Sequence, residues 1–329
     1  MDYCVLGSST FTAIHFIRDK LSEGKKVLAI SRSENKQLFK NLIGKDYDKL
    51  NFIFLKLHLI NDNVKIINSI NKYQPKYIVD FSGQGMVAES WEKPSLWFET
   101  NVVAKVKLYD SLLNKKWLSR IIKISTPEVY GSNKSKIKEG SNFNPSTPYA
   151  VSQSSIDLYL GINQKFKKLP VIFARFANFY GEGQQPYRII PKAILSTLYN
   201  KKFFLHGKGK SLRSFIHVAD VSRAISKCII KGKIGSTYHF STDEQVSIHN
   251  LCKKIINMQN KKFENICLIK KSDRLGKDYK YDMDIRQTQK ELKWKPNIKL
   301  DQGLIRTFNW FKENKILFKN TRWDFQLRK

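Results

Sequence analysis

The sequence lacks the features that mark membrane, secreted and metal-binding chains. No apolar run reaches the roughly 18 residues that a membrane span needs. The chain begins with a short apolar segment, Tyr3 to Leu6, and shows no basic segment with a cleavage site, so no signal peptide is indicated and a cytoplasmic location is expected. The four cysteines are far apart, and none stands in a C-x-x-C pair or at ligand spacing from a histidine. We expect reduced packing thiols and no metal site.

Acidic residues are also scarce: 28 Asp and Glu stand against 59 Lys and Arg, which gives a formal charge of +31. Such a charge invites a nucleic-acid interpretation, because basic surfaces gain affinity by releasing phosphate counterions. However, the lysines are scattered along the whole chain, and no zinc-finger, RNP or helix-turn-helix pattern accompanies them. A solvated lysine-rich surface explains the charge better, and part of that charge favours an anionic substrate. Neither a nucleic-acid nor a membrane partner is expected.

Apolar residues make up 41% of the 329 positions, enough for a large core. Short apolar runs alternate with helical patterns over residues 1–178, which predicts an α/β fold with a Rossmann-like, doubly wound parallel sheet. From residue 179 to 329 the pattern becomes irregular and predicts a smaller α/β lobe that binds the substrate. The chain around 215–240 is expected to return to the first domain.

The first turn of this pattern resembles a dinucleotide-binding loop. Gly7 to Ala13 follows a strand and opens a helix, the setting in which a turn places a pyrophosphate on a helix N-terminus. Thr10 and Ala13 stand where glycines are usual, so a plain strand-turn-helix remains an alternative. The second strand ends in Ser31 and Arg32, and an arginine there suits the 2′-phosphate of NADP. NADP is therefore the first choice of cofactor, with NAD as the alternative and a simply solvated Arg32 still open.

Reactive side chains follow the apolar run Ile121 to Ile124. Ligands of open α/β sheets bind at the carboxyl ends of the strands, which is where Thr126 and Glu128 would emerge. These two residues are two apart on an extended strand end, so they project to the same side. Tyr149 lies at the start of a predicted helix just downstream, after Pro148. The sequence thus predicts a site with a hydroxyl, a carboxylate and a phenol.

With these residues in place, the whole chain resembles the extended short-chain dehydrogenases/reductases of the NAD-dependent epimerase/dehydratase family. Within that family it is most similar to the nucleotide-sugar 4,6-dehydratases of the dTDP-glucose and GDP-mannose types. The matching segments, in the family's order, are Gly7 to Ala13, Phe81 to Gln84, Asn101, Ser125 to Gly131, Pro148 and Tyr149, Arg175 to Gln184, Gly207 to Asp220, and Asp273 to Pro296.

The resemblance implies a reaction and roles for the reactive residues. Tyr149 would remove the 4-OH proton while the C4 hydride passes to NAD(P)⁺, and Thr126 would hydrogen-bond the 4-oxygen. Glu128 would take the C5 proton while water leaves from C6, after which hydride returns to C6. A simple epimerase needs no carboxylate at that position. The rival functions are an NDP-sugar 4-epimerase or ketoreductase, and a catalytically silent nucleotide-sugar-binding protein.

Two positions depart from the family's pattern. Pro127 replaces the aspartate of the dTDP-sugar enzymes, so Glu128 would serve as both base and acid. Gln153 replaces the lysine of Tyr-x-x-x-Lys, which normally lowers the tyrosine pKa and holds the nicotinamide ribose. Gln153 can keep the hydrogen bond but lacks the charge. A displaced lysine, the charge of the nicotinamide or another base can substitute.

The resemblance also implies the binding residues and a homodimer that pairs the helices around 95–113 and 149–165. The expected substrate is a nucleotide-diphosphate sugar, although each arginine taken alone can equally be a surface salt bridge. For the cofactor the expected residues are Gly7, Ser9, Thr10, Phe11, Ser31, Arg32, His58, Leu59, Phe81, Ser82, Gly83, Gln84 and Asn101. For the substrate they are Asn178, Arg213 and Arg274, together with Gln185, Arg188 and Pro191 in a loop that wraps the nucleotide.

Overall fold

A computed structural model describes residues 1–133, 135–273, 275–276 and 278–325. The described part contains thirteen strands, and seven of them form one sheet. The strands are β1 (Tyr3–Leu6), β2 (Val27–Ser31), β3 (Phe52–Lys56), β4 (Tyr77–Asp80), β5 (Arg120–Ser125), β6 (Val171–Phe176), β7 (Asn178–Tyr180), β8 (Phe203–Leu205), β9 (Leu212–Arg213), β10 (Phe215–His217), β11 (Thr237–Phe240), β12 (Val246–Ser247) and β13 (Cys267–Ile269).

The large sheet has the order β3-β2-β1-β4-β5-β6-β11, and all of its neighbouring strands are parallel. The order reverses between β1 and β4, where ligands bind in doubly wound sheets. The predicted fold class is confirmed. The strand β11 comes from the later part of the chain and lies beside β6 at the sheet edge.

The helices are α1 (Phe11–Ser22), α2 (Lys36–Ile43), α3 (Asn63–Tyr73), α4 (Pro94–Phe98), α5 (Ala104–Asp110), α6 (Pro148–Lys167), α7 (Ile189–Leu198), α8 (Val218–Lys231), α9 (Ile248–Asn257), α10 (Phe263–Ile266), α11 (Arg286–Leu292) and α12 (Leu300–Glu313). The helix expected around residues 95–113 consists of α4 and α5 joined by a π-helical segment, Glu99–Val103. π-Helical turns are frequent at functional sites, and this one contains Asn101.

The sheet is buried on both faces, which explains its continuous apolar strands. Alternate residues of β1 serve the two faces: Tyr3 and Val5 join the core with α1 and α8, whereas Cys4 and Leu6 join the core with α3, α5 and α6. A third apolar core unites α7, α9, α10 and α12 with β8 and β13. No helix among the described residues is long and apolar enough to span a membrane.

Candidate active site

A cavity of about 200 Å³ opens at the carboxyl ends of β1, β2 and β4. Ten of the thirteen residues predicted for the cofactor line it: Gly7, Thr10, Ser31, Arg32, His58, Leu59, Phe81, Ser82, Gly83 and Gln84. The other three lie beside the cavity. Phe11 packs against Phe179, and the Ser9 hydroxyl donates to the Ser33 carbonyl oxygen at 2.5 Å.

The turn after β1 passes so close to the Ser82 backbone that only a glycine fits at position 7. Gly7 has φ 68°, and a Cβ atom there would lie 2.7 Å from the Ser82 nitrogen. Thr10 caps α1 by accepting a hydrogen bond from the Ala13 amide at 3.3 Å. Because Thr10 also lines the cavity, the positive end of the helix faces it. The buried Ser8 hydroxyl has no hydrogen-bond partner among the described residues. These features fit the pyrophosphate of a dinucleotide.

The loop Ser82–Gln84, which forms the cavity floor, is fixed from two sides. Asn101 Oδ1 accepts from the Gln84 amide at 2.8 Å, and its Nδ2 donates to the Gln84 carbonyl oxygen at 3.0 Å. Lys105, fully buried, donates to Asp80 at 2.8 Å and to the Ser82 carbonyl oxygen at 2.7 Å. Burial alone would raise the pKa of Asp80, but the charges of Lys105 and Lys123 outweigh it and hold that pKa below its usual value. Asn101 thus contacts the cavity only indirectly, by holding the Ser82–Gln84 loop in place.

The three predicted reactive groups come together beyond this loop. Thr126 ends the extended segment after β5 and caps the 3₁₀ turn Pro127–Tyr130 through a bond from the Glu128 amide, 3.3 Å long. Tyr149 begins α6, and its hydroxyl hydrogen-bonds the Thr126 side chain. Burial and the nearby Glu128 carboxylate raise the pKa of Tyr149, and the bond to Thr126 does not offset them. Tyr149 is therefore a neutral phenol at neutral pH in the free protein.

Glu128 is a buried carboxyl group whose Oε2 has no hydrogen-bond partner among the described residues. Burial raises its pKa to about 7, because the positive charges of Arg213 and Arg188 only partly offset desolvation and the negative charge of Asp278. A carboxyl group with this pKa is present in both protonation states near neutrality. It can therefore accept a proton and then release it without a second acid.

Gln153 lies one helical turn after Tyr149 and is almost fully buried. Its Oε1 accepts a hydrogen bond of 2.9 Å from the ammonium group of Lys123, on β5. The ammonium also donates to the Ile124 carbonyl oxygen and lies 3.6 Å from Asp157 Oδ1. Burial and the nearby cations Lys105 and Arg175 lower the pKa of Lys123 to about 8, against the attraction of Asp157 and Asp80. A lysine is thus present at the site, although not at position 153.

The predicted substrate residues have mixed locations. Asn178 Oδ1 accepts a 2.7 Å hydrogen bond from the Tyr281 hydroxyl. Arg213 lies under the ring of Tyr281 at 4.4 Å and donates to the carbonyl oxygens of Leu212, Asp278 and Tyr279, so several of its N–H groups are already engaged. Arg188 is exposed and close enough to Glu128 and Tyr149 to affect their pKa values.

The prediction that a loop contains Gln185, Arg188 and Pro191 is wrong for Pro191. Gln185 and Arg188 belong to a turn before α7, but Pro191 is buried in the first turn of that helix. Proline is tolerated there because the missing N–H would have no partner within the helix. Arg274 lies outside the described residues.

Sequence reasoning missed Lys123, Tyr281 and Asp157. One signal was available for Lys123, a charged residue in the middle of the apolar run Ile121 to Ile124. A lysine there must be buried and paired, since an unpaired buried charge is costly. Asp157 Oδ2 accepts from Ser125 at 2.5 Å and lies 3.2 Å from Arg175. No sequence pattern links these partners, because they are brought together by the packing of α6 on the sheet.

The sheet order, the cavity at its switch point and the Thr126–Tyr149 pair define an extended short-chain dehydrogenase/reductase. The GDP-mannose 4,6 dehydratase family model matches residues 5–307, and the chain belongs to this family.

Named relatives agree with this assignment. The dTDP-D-glucose 4,6-dehydratase of Dictyostelium discoideum is 28% identical over 97% of this chain and 83% of its own length. A dTDP-glucose 4,6-dehydratase from Streptomyces venezuelae, solved with NAD bound, has a TM-score of 0.89 and 24% identity over 97% of this chain and 99% of its own. The same enzyme from Bacillus anthracis, in complex with NAD, has a TM-score of 0.84 and 26% identity with the same coverage. A UDP-glucose 4-epimerase from Thermotoga maritima shares the fold at 22% identity and a TM-score of 0.83, covering 96% of this chain and 100% of its own.

Proposed function

We propose that this protein is a nucleotide-sugar 4,6-dehydratase that converts an NDP-hexose to its 4-keto-6-deoxy derivative. The observation that carries this proposal is the position of Glu128 beside Tyr149 with a pKa raised to about 7. Inversion at C4 requires no such carboxyl group, whereas elimination of water across C5 and C6 requires a base and an acid. The dTDP-glucose 4,6-dehydratases among the relatives support the same choice.

The residues divide the proton transfers between them. Tyr149 exchanges the proton of the 4-OH, and Thr126 donates a hydrogen bond to the 4-oxygen. Glu128 takes the C5 proton as a carboxylate and returns it to the departing 6-OH, which leaves as water. No acid is therefore needed at position 127, where this chain has proline. A bound oxidised nicotinamide supplies a hydride acceptor and a positive charge. Because burial raises the pKa of Tyr149 in the free protein, that charge favours its ionisation.

For the cofactor we propose NAD. The dehydratase structures from Streptomyces venezuelae and Bacillus anthracis contain NAD, which supports this choice. NADP, expected from Arg32, has no such support, although Arg32 does line the cavity beside Ser31. Gly7, Thr10 and the Ser82–Gln84 loop would hold the dinucleotide.

For the assembly we propose the homodimer expected from the sequence. Helix α6 has an exposed apolar face, with Val151, Leu158, Ile162 and Phe166 at 37%, 61%, 56% and 72% exposure. Their spacing of four or seven residues places them along one side of the helix. An exposed apolar stripe of this length is typical of a surface that another subunit covers.

The function is tested by incubating the purified protein with dTDP-glucose, GDP-mannose and UDP-glucose and analysing the products by mass spectrometry and NMR. Loss of one water with deuterium incorporation at C5 in D₂O is the expected result. A C4-inverted sugar that keeps its 6-OH would identify an epimerase, and a product reduced at a keto group only with added NAD(P)H would identify a ketoreductase. Binding of all three nucleotide sugars without any product would support the catalytically silent protein.

A further inference from the structure

The contact between Lys123 and Gln153 joins two positions 30 residues apart, one on β5 and one on α6. We propose that Lys123 is a positioning residue for the dinucleotide site: its buried ammonium group fixes the Gln153 amide so that Nε2 is presented to the cofactor cavity. This makes positions 123 and 153 an interdependent pair. The inference rests on the proposed function only in assuming that the cavity binds a dinucleotide.

The chemistry of the two groups determines the orientation of the amide. An ammonium group can only donate hydrogen bonds, and an amide oxygen can only accept them, so Lys123 selects the orientation with Oε1 toward β5. The opposite end of the amide then faces Gly83. A Cβ atom built on Gly83 would lie 3.8 Å from Gln153 Nε2, and Gly83 itself lines the cavity. A donor is therefore held at the cavity wall, directed at an acceptor such as a ribose hydroxyl.

Without Lys123, this orientation would have no strong determinant among the contacts of the described residues. The Gln153 amide can rotate by half a turn at little cost, because its oxygen and nitrogen ends have nearly the same shape. In the rotated state the carbonyl oxygen would face the cavity and the donor would be lost. The ammonium group of Lys123 also donates to the Ile124 carbonyl oxygen at 2.8 Å, so its position does not depend on the Gln153 amide.

The surrounding charges explain why the residue at 153 is neutral. Asp157 is the carboxylate nearest to Lys123, at 3.6 Å, and it also pairs with Arg175 at 3.2 Å. One carboxylate already serves two buried cations, and Asp80 is paired with Lys105. A lysine at 153 would place another ammonium group beside Lys123 with no anion left to balance it. The pair Lys123 and Gln153 therefore fits the local balance of charges, and an apolar residue at 123 with lysine at 153 would fit it as well. Lysines at both positions would not.

The test is a double-mutant cycle on dinucleotide affinity, using Lys123→Met, Gln153→Lys and the combined variant. The quantities measured are the dinucleotide retained after purification, the Kd for NAD by calorimetry, and Tm. We expect each single change to weaken NAD binding about tenfold, the cost of one well-oriented hydrogen bond. The combined variant should recover binding to within about threefold of the natural protein. Additive losses in the combined variant, or unchanged affinity in Lys123→Met, would overturn the proposal.

Two further variants separate positioning from folding. Lys20→Met removes an equally buried lysine, paired with Glu23 at 2.7 Å at the far end of α1, and should leave NAD affinity within twofold. Gln153→Glu keeps a partner for Lys123 but removes the donor facing Gly83, so it should retain Tm and lose NAD affinity. Natural affinity in Gln153→Glu would refute the role of Nε2, even if Lys123→Met failed to fold.

These readouts use no sugar substrate, so they are independent of the reaction. If no nucleotide sugar is dehydrated but the cycle shows the expected coupling, the proposed function fails and this inference stands. If dehydration occurs and the cycle is additive, the proposed function stands and this inference fails.

Discussion

Replacing Glu128 by glutamine should make the folded protein more stable while removing its activity. The carboxyl group is buried, and its pKa is raised from 4.5 to about 7. Because the folded state holds the proton more tightly than the unfolded chain, folding is penalised once the pH exceeds 4.5, and the penalty is complete above about 7. A change of this size corresponds to roughly 3 kcal/mol of unfolding free energy. Glutamine has the same shape and no charge to bury, so this penalty disappears.

The measurement is urea unfolding of the dinucleotide-free protein at pH 5 and pH 8. Glu128→Gln should gain under about 1 kcal/mol at pH 5 and about 3 kcal/mol at pH 8. Asp284→Asn is the control of opposite sign: its bonds from Arg286 lower the pKa of Asp284 to about 2, so that variant should lose stability at both pH values. If the gain of Glu128→Gln is the same at both pH values, the carboxyl group is not desolvated and the reasoning is refuted.

The same substitution separates the chemical steps. Without a base for the C5 proton, turnover to the 4-keto-6-deoxy product should fall by about a hundredfold or more. In the proposed mechanism oxidation at C4 uses Tyr149 and Thr126, so a single turnover should still reduce the bound dinucleotide, visible by absorbance. In the natural protein, the rate of C5 proton exchange should rise with pH through about 7 as Glu128 ionises. A gain in stability together with a blocked elimination would identify Glu128 as a group held in a costly state for its chemistry.

Three further predictions concern the cofactor and the assembly. Gly7→Ala should cost about 2–4 kcal/mol of stability and abolish dinucleotide retention, because φ is 68° and the new Cβ would meet the backbone of Ser82. Gly24→Ala is the control: its φ is 71°, but the new Cβ would enter open space, so it should cost about 1 kcal/mol. Chromatography of the dinucleotide released by denaturation should identify NAD, and NADP would restore the 2′-phosphate role of Arg32. Leu158→Glu should convert a dimer to monomers in analytical ultracentrifugation, whereas Ile230→Glu, equally exposed on α8, should not; a monomeric natural protein would refute the dimer.

The fold could be predicted from the sequence because its signals are local. Alternating apolar runs and helical patterns over residues 1–178 predict a parallel sheet, and the carboxyl ends of its strands necessarily share one edge. The shared edge brings Thr126 and Glu128 near the turn after β1, although they are far from it in the chain. The loop expected at Pro191 was wrong, because a residue that usually interrupts helices lies in the first turn of α7, where proline is tolerated.

The partners of buried charges could not be predicted in the same way. Lys123 is visible in the sequence as a charge within an apolar strand, but nothing local indicates whether Asp157, Asp80 or Gln153 receives it. The answer depends on how α6 crosses the sheet, which is set by long-range packing. The pKa of Glu128 has the same origin, since charges far away in the chain contribute to it, namely those of Arg213, Asp278 and Arg188.

The glutamine at 153 therefore has a different meaning in the structure than in the sequence. Taken alone, it removes a cation from a site whose tyrosine needs one. In the fold, Lys123 lies 2.9 Å from that glutamine, and Lys105 lies beneath the Ser82–Gln84 loop, so two buried ammonium groups stand next to the cavity. Burial nevertheless keeps the pKa of Tyr149 raised. We therefore propose that Gln153 makes the ribose contact and that the ionisation of Tyr149 depends on the charge of the oxidised cofactor, so that this tyrosine would become a base only when the dinucleotide is bound and ready to accept hydride.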